Sequence, residues 1–110
     1  MRIWHERLIP VLCRQHLLAT WRESLGAYNI IMRGKKGYRN HPATKEFENA
    51  PWQLVKRMHK IRNEMLRRGY KPKPIIALRS AYLESSVAEW QTYGQQVKIL
   101  KAKGCECRVR

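Results

Sequence analysis

The chain has 110 residues and carries 23 Lys plus Arg against 8 Asp plus Glu, a formal net charge of +15, and below about 150 residues a second independent core is not expected. Such a surplus of positive charge opposes compaction and favours a polyanionic partner, nucleic acid first and an anionic membrane surface second. No apolar run approaches the roughly 18 to 20 residues of a spanning helix, and Trp4-His5-Glu6-Arg7 interrupts any apolar segment of a signal peptide.

The first helix is expected over residues 10–28, with Pro10 at a tolerated first-turn position. At 3.6 residues per turn Val11, Leu17, Leu18, Trp21, Leu25 and Tyr28 fall mostly on one side. Gln15 and Arg22 lie within roughly 20° of each other on the opposite side, and His16 and Glu23 form a neighbouring stripe with the same offset. One face therefore suits a core, and the other gathers an acid, a base and polar donors. A loosely patterned stretch, residues 29–48, follows. Its glycines stand beside Lys35, Lys36, Tyr38 and Arg39, a composition suited to a loop that tracks a phosphate backbone or stacks on a base. A solvated basic loop is the plainer alternative, and connections of this length are usually functional or disordered.

The second helix starts at Asn49-Ala50-Pro51 and stops at Gly69, a stop reinforced by Pro72 and Pro74. Leu54, Val55, Met58, Ile61, Met65 and Leu66 form its apolar arc; Lys56, Arg57, Lys60, Arg67 and Arg68 give it a basic outer face. A third helix is expected over residues 78–102, where Leu83, Val87, Trp90 and Val97 keep helical spacing despite Gly94. With no alternating strand pattern and no internal repeat, the expected fold is all-α. It is a compact single domain of about three main helices, with a long basic loop between the first two. The domain spans residues 1–103, and residues 104–110 form a basic tail. Cys13, Cys105 and Cys107 make an odd count without a secretory signal, so reduced thiols in a cytosolic compartment are expected. Cys105-Glu106-Cys107 has the wrong spacing for half of a structural metal site and no matching Cys/His pair, so no metal is expected.

Arg2, then Gln15-His16-Leu17, then Arg22-Glu23 form an ordered set that resembles the pyrimidine-dimer DNA glycosylase family. The family's best-known member is the phage endonuclease V that repairs ultraviolet damage. Asn49-Ala50-Pro51-Trp52-Gln53-Leu54 and Arg67-Arg68-Gly69-Tyr70-Lys71-Pro72 carry a second match. The opening Met1-Arg2-Ile3-Trp4-His5-Glu6, with Leu8-Ile9-Pro10 before the first helix, is similar to the family's shorter cellular branch. The resemblance covers residues 1–74 and fades beyond Pro74.

The resemblance implies that the nucleophile is the α-amine of the first residue. Arg2 is too bulky for removal of the initiator Met, which assigns the amine to Met1. An α-amine has a reference pKa of about 7.7 to 8.0, so a useful fraction is neutral at physiological pH. Its attack on the deoxyribose C1′ expels the base and leaves an imine, and loss of a sugar proton permits β-elimination. Glu23 is the second catalytic residue by resemblance, stabilising positive charge on the sugar and moving protons. Read alone, it is a surface carboxylate paired with Arg22 or Arg14.

By the same resemblance Arg2 and Arg22 contact phosphates, and Gln15 and His16 make polar contacts in the same cleft. The phage enzyme has a basic residue shortly after its catalytic Glu; Gly26 and Ala27 stand here, so further grip falls to Lys35, Lys36, Arg39, Lys56, Arg57 and Lys60. Core packing is the expected role of Trp52. The partner implied is duplex DNA with damaged pyrimidines, met by a monomer with no cofactor, no metal and no membrane. The expected location is the cytoplasm at the nucleoid, or the interior of a virus-infected cell. Two alternatives stand: the same lyase chemistry on another damaged or modified pyrimidine, and a non-catalytic basic DNA- or RNA-binding protein. The tail over residues 98–110 reads as a basic arm.

Overall fold

The computed structural model describes residues 2–33, 41–48, 50–74, 91–104 and 107. A 3-10 helix, Glu6–Val11, leads into α1 (Arg14–Arg33), followed by α2 (Pro42–Lys45), α3 (Pro51–Arg67) and α4 (Tyr93–Ala102). No strand occurs among the described residues, and the protein is all-α.

The first helix does not begin at Pro10. His5 Nδ1 accepts the Arg7 N–H at 3.2 Å and the Leu8 N–H donates to the His5 carbonyl at 2.9 Å, so a tight turn forms earlier. Leu12 then takes an extended conformation, φ −64° and ψ 139°, which separates this turn from α1. Burial accounts for the break. A helix starting at Pro10 requires an extended Ile9, whereas the turn brings Leu8, Ile9 and Leu12 inward together, each almost fully buried. At its other end α1 runs past Tyr28 to Arg33 because Ile30 is buried and Ile31 and Met32 pack on the core. That packing outweighs the weak helix propensities of Gly26 and Asn29.

Of the stretch over residues 29–48, the start is helical in α1 and residues 42–45 form α2. α2 is capped by His41, whose Nδ1 accepts the Ala43 N–H at 3.1 Å. Ala43, Thr44, Glu46, Phe47 and Ala50 are buried and fasten it to the core. Lys35, Lys36, Tyr38 and Arg39 lie outside the described residues.

α3 follows the expected bounds. Pro51 occupies the first turn, and Gly69, at φ +86°, ends the helix in a Schellman motif. In that motif the Tyr70 N–H reaches the Met65 carbonyl at 2.9 Å and the Gly69 N–H reaches that of Leu66 at 3.0 Å. Leu54, Val55, Met58, Ile61 and Met65 are buried, but Leu66 is exposed. Trp52, expected in the core, is 44% exposed instead, because Ala50 and Pro51 take the buried places at the start of α3.

The helix expected over residues 78–102 is not continuous. Thr92 is extended and caps α4, its hydroxyl accepting the Gln95 N–H at 3.1 Å while the Gln95 side chain accepts the Thr92 N–H at 2.8 Å. This capping box starts a new helix at Tyr93; residues 78–90 lie outside those described. α1 packs along α3, the 3-10 helix packs on α3, and α4 closes against the 3-10 helix. Among the described residues no helix is long and apolar enough to cross a membrane.

Candidate active site

The opening residues are built into the core. Ile3 and Trp4 are buried, and each large apolar side chain so placed contributes roughly 1.5–3 kcal/mol. Residues 2–5 belong to no helix, so their buried backbone groups need other partners. Side chains supply them. The Trp4 N–H donates to Thr20 Oγ1 on α1 at 3.3 Å, and Arg57 Nη1 on α3 donates to the Trp4 carbonyl at 3.1 Å. Gln96 on α4 bridges two more groups, accepting the His5 N–H at 2.6 Å and donating to the Ile3 carbonyl at 3.5 Å. Arg2 Nε donates to Gln91 Oε1 at 2.9 Å, and its guanidinium stands 5.1 Å from the Trp4 ring centroid. Burial pulls Arg2 below the usual arginine range. Three helices thus hold one extended segment.

Thr20 marks where this segment meets the sorted face of α1. His16 precedes it by four residues and Glu23 follows by three, so all three share one edge of the helix. The His16 ring stands edge-on to Trp4, with centroids 5.8 Å apart and planes at 75°. Burial first, then the charges of Lys103 and Arg2, hold its imidazole below the usual histidine range. Glu23 is half-buried and makes no hydrogen bond or ion pair among the described residues. It is therefore not paired with Arg22 or Arg14; Arg14 lies instead over the Tyr70 ring, at 5.6 Å. Arg22 and Gln15 are exposed and have no partner among the described residues. His16 touches the clamped segment at Trp4, Glu23 follows on the same edge of α1, and Gln15 and Arg22 face solvent.

The basic residues of α3 divide by task. Lys60 pairs with Glu6 at 2.5 Å and holds that carboxyl below the usual range. Arg57 secures Trp4 and lies over the Phe47 ring at 5.2 Å. Lys56 is exposed and has no partner among the described residues. Near the end of α3, buried Glu64 accepts Arg67 Nη2 at 2.5 Å and Arg68 Nε at 2.7 Å, and Arg68 also reaches the Pro10 carbonyl at 3.2 Å. Arg14, Arg67 and Arg68 line a cleft of about 330 Å³ with residues 10–13. Met1, Lys35, Lys36 and Arg39 lie outside the described residues.

One cluster escapes the sequence reading. His16 Nδ1 lies 3.2 Å from Cys13 Sγ and 3.2 Å from Cys107 Sγ, and the Cys13 N–H donates to Cys107 Sγ at 3.0 Å. Residue 107 packs on the core rather than trailing from it. The local signal was Cys13-x-x-His16, a ligand-like spacing of one helical turn; its third member comes from 94 residues away.

A family model described as pyrimidine dimer DNA glycosylase matches residues 1–78 of the chain. No curated protein and no solved structure matches it.

Proposed function

Because the chain belongs to the pyrimidine dimer DNA glycosylase family, we propose that it both excises the damaged base and cleaves the strand, with the α-amine of Met1 as nucleophile. The observation that supports this reading most is the hold of three helices on residues 2–5, with a half-buried Glu23 one turn beyond Thr20 on α1 that has no partner among the described residues. A side-chain nucleophile needs no such hold on an extended segment; a terminal amine does, since proximity and orientation supply much of the rate.

The amine nitrogen bonds to the deoxyribose C1′ as the bond from C1′ to the base breaks, and its electron pair leaves with the base. Loss of the amine proton and opening of the sugar ring give a protonated imine. Glu23 faces this cation and stabilises it, then accepts a proton from C2′. The electron pair freed at C2′ forms a double bond and expels the 3′ phosphate, breaking the strand. Water hydrolyses the imine and restores the amine. Arg2 and Arg22 hold phosphates beside the extruded nucleotide, whose unstacking costs a few kcal/mol and least at a damaged base. Gln15 and His16 make polar contacts in the same cleft, and Lys56 extends the phosphate track.

Borohydride trapping with an untagged N-terminus tests this. A covalent adduct at Met1 with a duplex bearing one thymine dimer is the expected result. Trapping on an abasic duplex alone would keep the lyase and reopen the question of which base it removes. No adduct on either would leave a basic DNA-binding protein with the family's fold. Glu23→Gln should retain DNA binding and lose incision; incision at the wild-type rate removes Glu23 from the chemistry.

A further inference from the structure

We propose that Cys13, His16 and Cys107 form a binding site for a thiolate-preferring divalent metal of the zinc class, which fastens residue 107 to the start of α1. The three ligand atoms lie within 4.8 Å of one another, and His16 Nδ1 is 3.2 Å from each sulfur. Tetrahedral zinc, with Zn–S about 2.3 Å and Zn–N about 2.0 Å, sets S···N near 3.5 Å and S···S near 3.8 Å. The observed S···N distances fall short of that shell by a few tenths of an ångström and the sulfurs lie within 4.8 Å of each other, so side-chain adjustments on the order of an ångström or less close the shell around an ion.

Two of the three ligands stand at the start of one helix. Cys13 stands at the N-terminus of α1, where its carbonyl accepts the Leu17 N–H at 2.9 Å. His16 is one turn further along the same face, and its ring is braced by Trp4. Cys107 Sγ accepts the Cys13 N–H at 3.0 Å, a contact that favours an electron-rich sulfur and orients it. Two sulfurs and an imidazole select zinc or a similar soft ion over magnesium or calcium. On binding, each thiol gives up its proton and two S–metal bonds form, so two protons leave per ion and the two thiolate charges balance the dication. Nδ1 is the ligating nitrogen. Nε2 makes no hydrogen bond among the described residues and remains available to the cleft.

The test titrates Co²⁺ into reduced, chelator-stripped, untagged protein, followed by Zn²⁺ as competitor. The expected result is saturation at one ion per chain with a thiolate-to-cobalt charge-transfer band, release of two protons per ion, and bleaching by Zn²⁺. Cys13→Ser and Cys107→Ser should each weaken binding by at least about 100-fold, with circular dichroism recorded to show that each variant is folded. The wild-type titration is decisive even where a variant unfolds. Absence of a charge-transfer band at one equivalent overturns the proposal. So does a full band in both serine variants. Reduced protein that takes up no cobalt but closes a Cys13–Cys107 disulfide in air also overturns it, in favour of a redox pair.

Discussion

Gln96→Ala probes the hold on the N-terminal segment most directly. Gln96 is 3% exposed and its one amide satisfies both the His5 N–H, at 2.6 Å, and the Ile3 carbonyl. Truncation forfeits about 1 kcal/mol of net hydrogen bonding and leaves backbone groups unsatisfied at about 1–3 kcal/mol. The expected destabilisation is about 2–4 kcal/mol, against a total of about 5–15 kcal/mol for a domain. At about 4–8 °C per kcal/mol for a domain near this size, the melting temperature drops by about 8–32 °C. Urea unfolding measures the free energy. Borohydride trapping on abasic DNA, well below both midpoints, measures the chemistry. Trapping should slow more than DNA affinity falls, since Arg22 and Lys56 are untouched. Leu100→Ala on the same helix is the control: Leu100 is 2% exposed, its truncation costs about 2–5 kcal/mol, and it should not slow trapping selectively. A loss below about 0.5 kcal/mol, or equal losses of trapping and binding, refutes the assigned role of Gln96.

Three further outcomes are expected. Arg22→Ala, at an exposed side chain without a partner among the described residues, should leave stability within about 0.5 kcal/mol and make the salt dependence of DNA binding shallower by about one unit of slope; an unchanged slope counts against a phosphate contact. Gly26 is exposed on α1 and an added Cβ there meets nothing within 4 Å, so Gly26→Ala should gain about 0.5–1 kcal/mol in chemical denaturation, and Gly26→Arg should steepen the salt slope. Arg67 and then Arg68 hold the buried Glu64 carboxyl below its usual 4.5. Its contribution is complete above that value and is lost as pH falls through the lower, folded-state pKa. Urea midpoints recorded down through this window should fall less for Glu64→Gln than for wild type, and parallel curves would dismiss the coupling.

Periodicity was a sound guide where one helix buries one face. α3 shows it: Leu54, Val55, Met58, Ile61 and Met65 fall inside, and Gly69 stops the helix as its chemistry requires. It misled where burial is decided by neighbours. Leu66 and Trp52 are apolar by type yet exposed, and Leu12 breaks a helix that spacing alone runs through, because three apolar residues turn inward together. The sorted face of α1 was legible because Gln15, His16, Arg22 and Glu23 repeat at seven residues on one helix. The bonds from Gln91 and Gln96 to residues 2–5 and the approach of Cys107 to Cys13 span some 90 residues and follow from no local pattern. Lys60 and Arg57 illustrate the remaining difficulty: a basic helix face looks uniform in sequence, while folding assigns one to Glu6 and the other to the Trp4 backbone.

The bonds from α4 to the opening segment also govern when, during synthesis, that segment becomes fixed. His5 precedes its partner Gln96 by 91 residues, so the His5 N–H and the Ile3 carbonyl find their shared partner only once α4 has been made, whereas the Trp4 N–H meets Thr20 much earlier. Closing so long a loop costs more entropy than closing the short one from Trp4 to Thr20. A nascent chain therefore carries its opening residues through most of synthesis without the bonds from Gln96 that fix them. Truncation before Gln96 should loosen residues 2–5 from some 90 residues away in sequence.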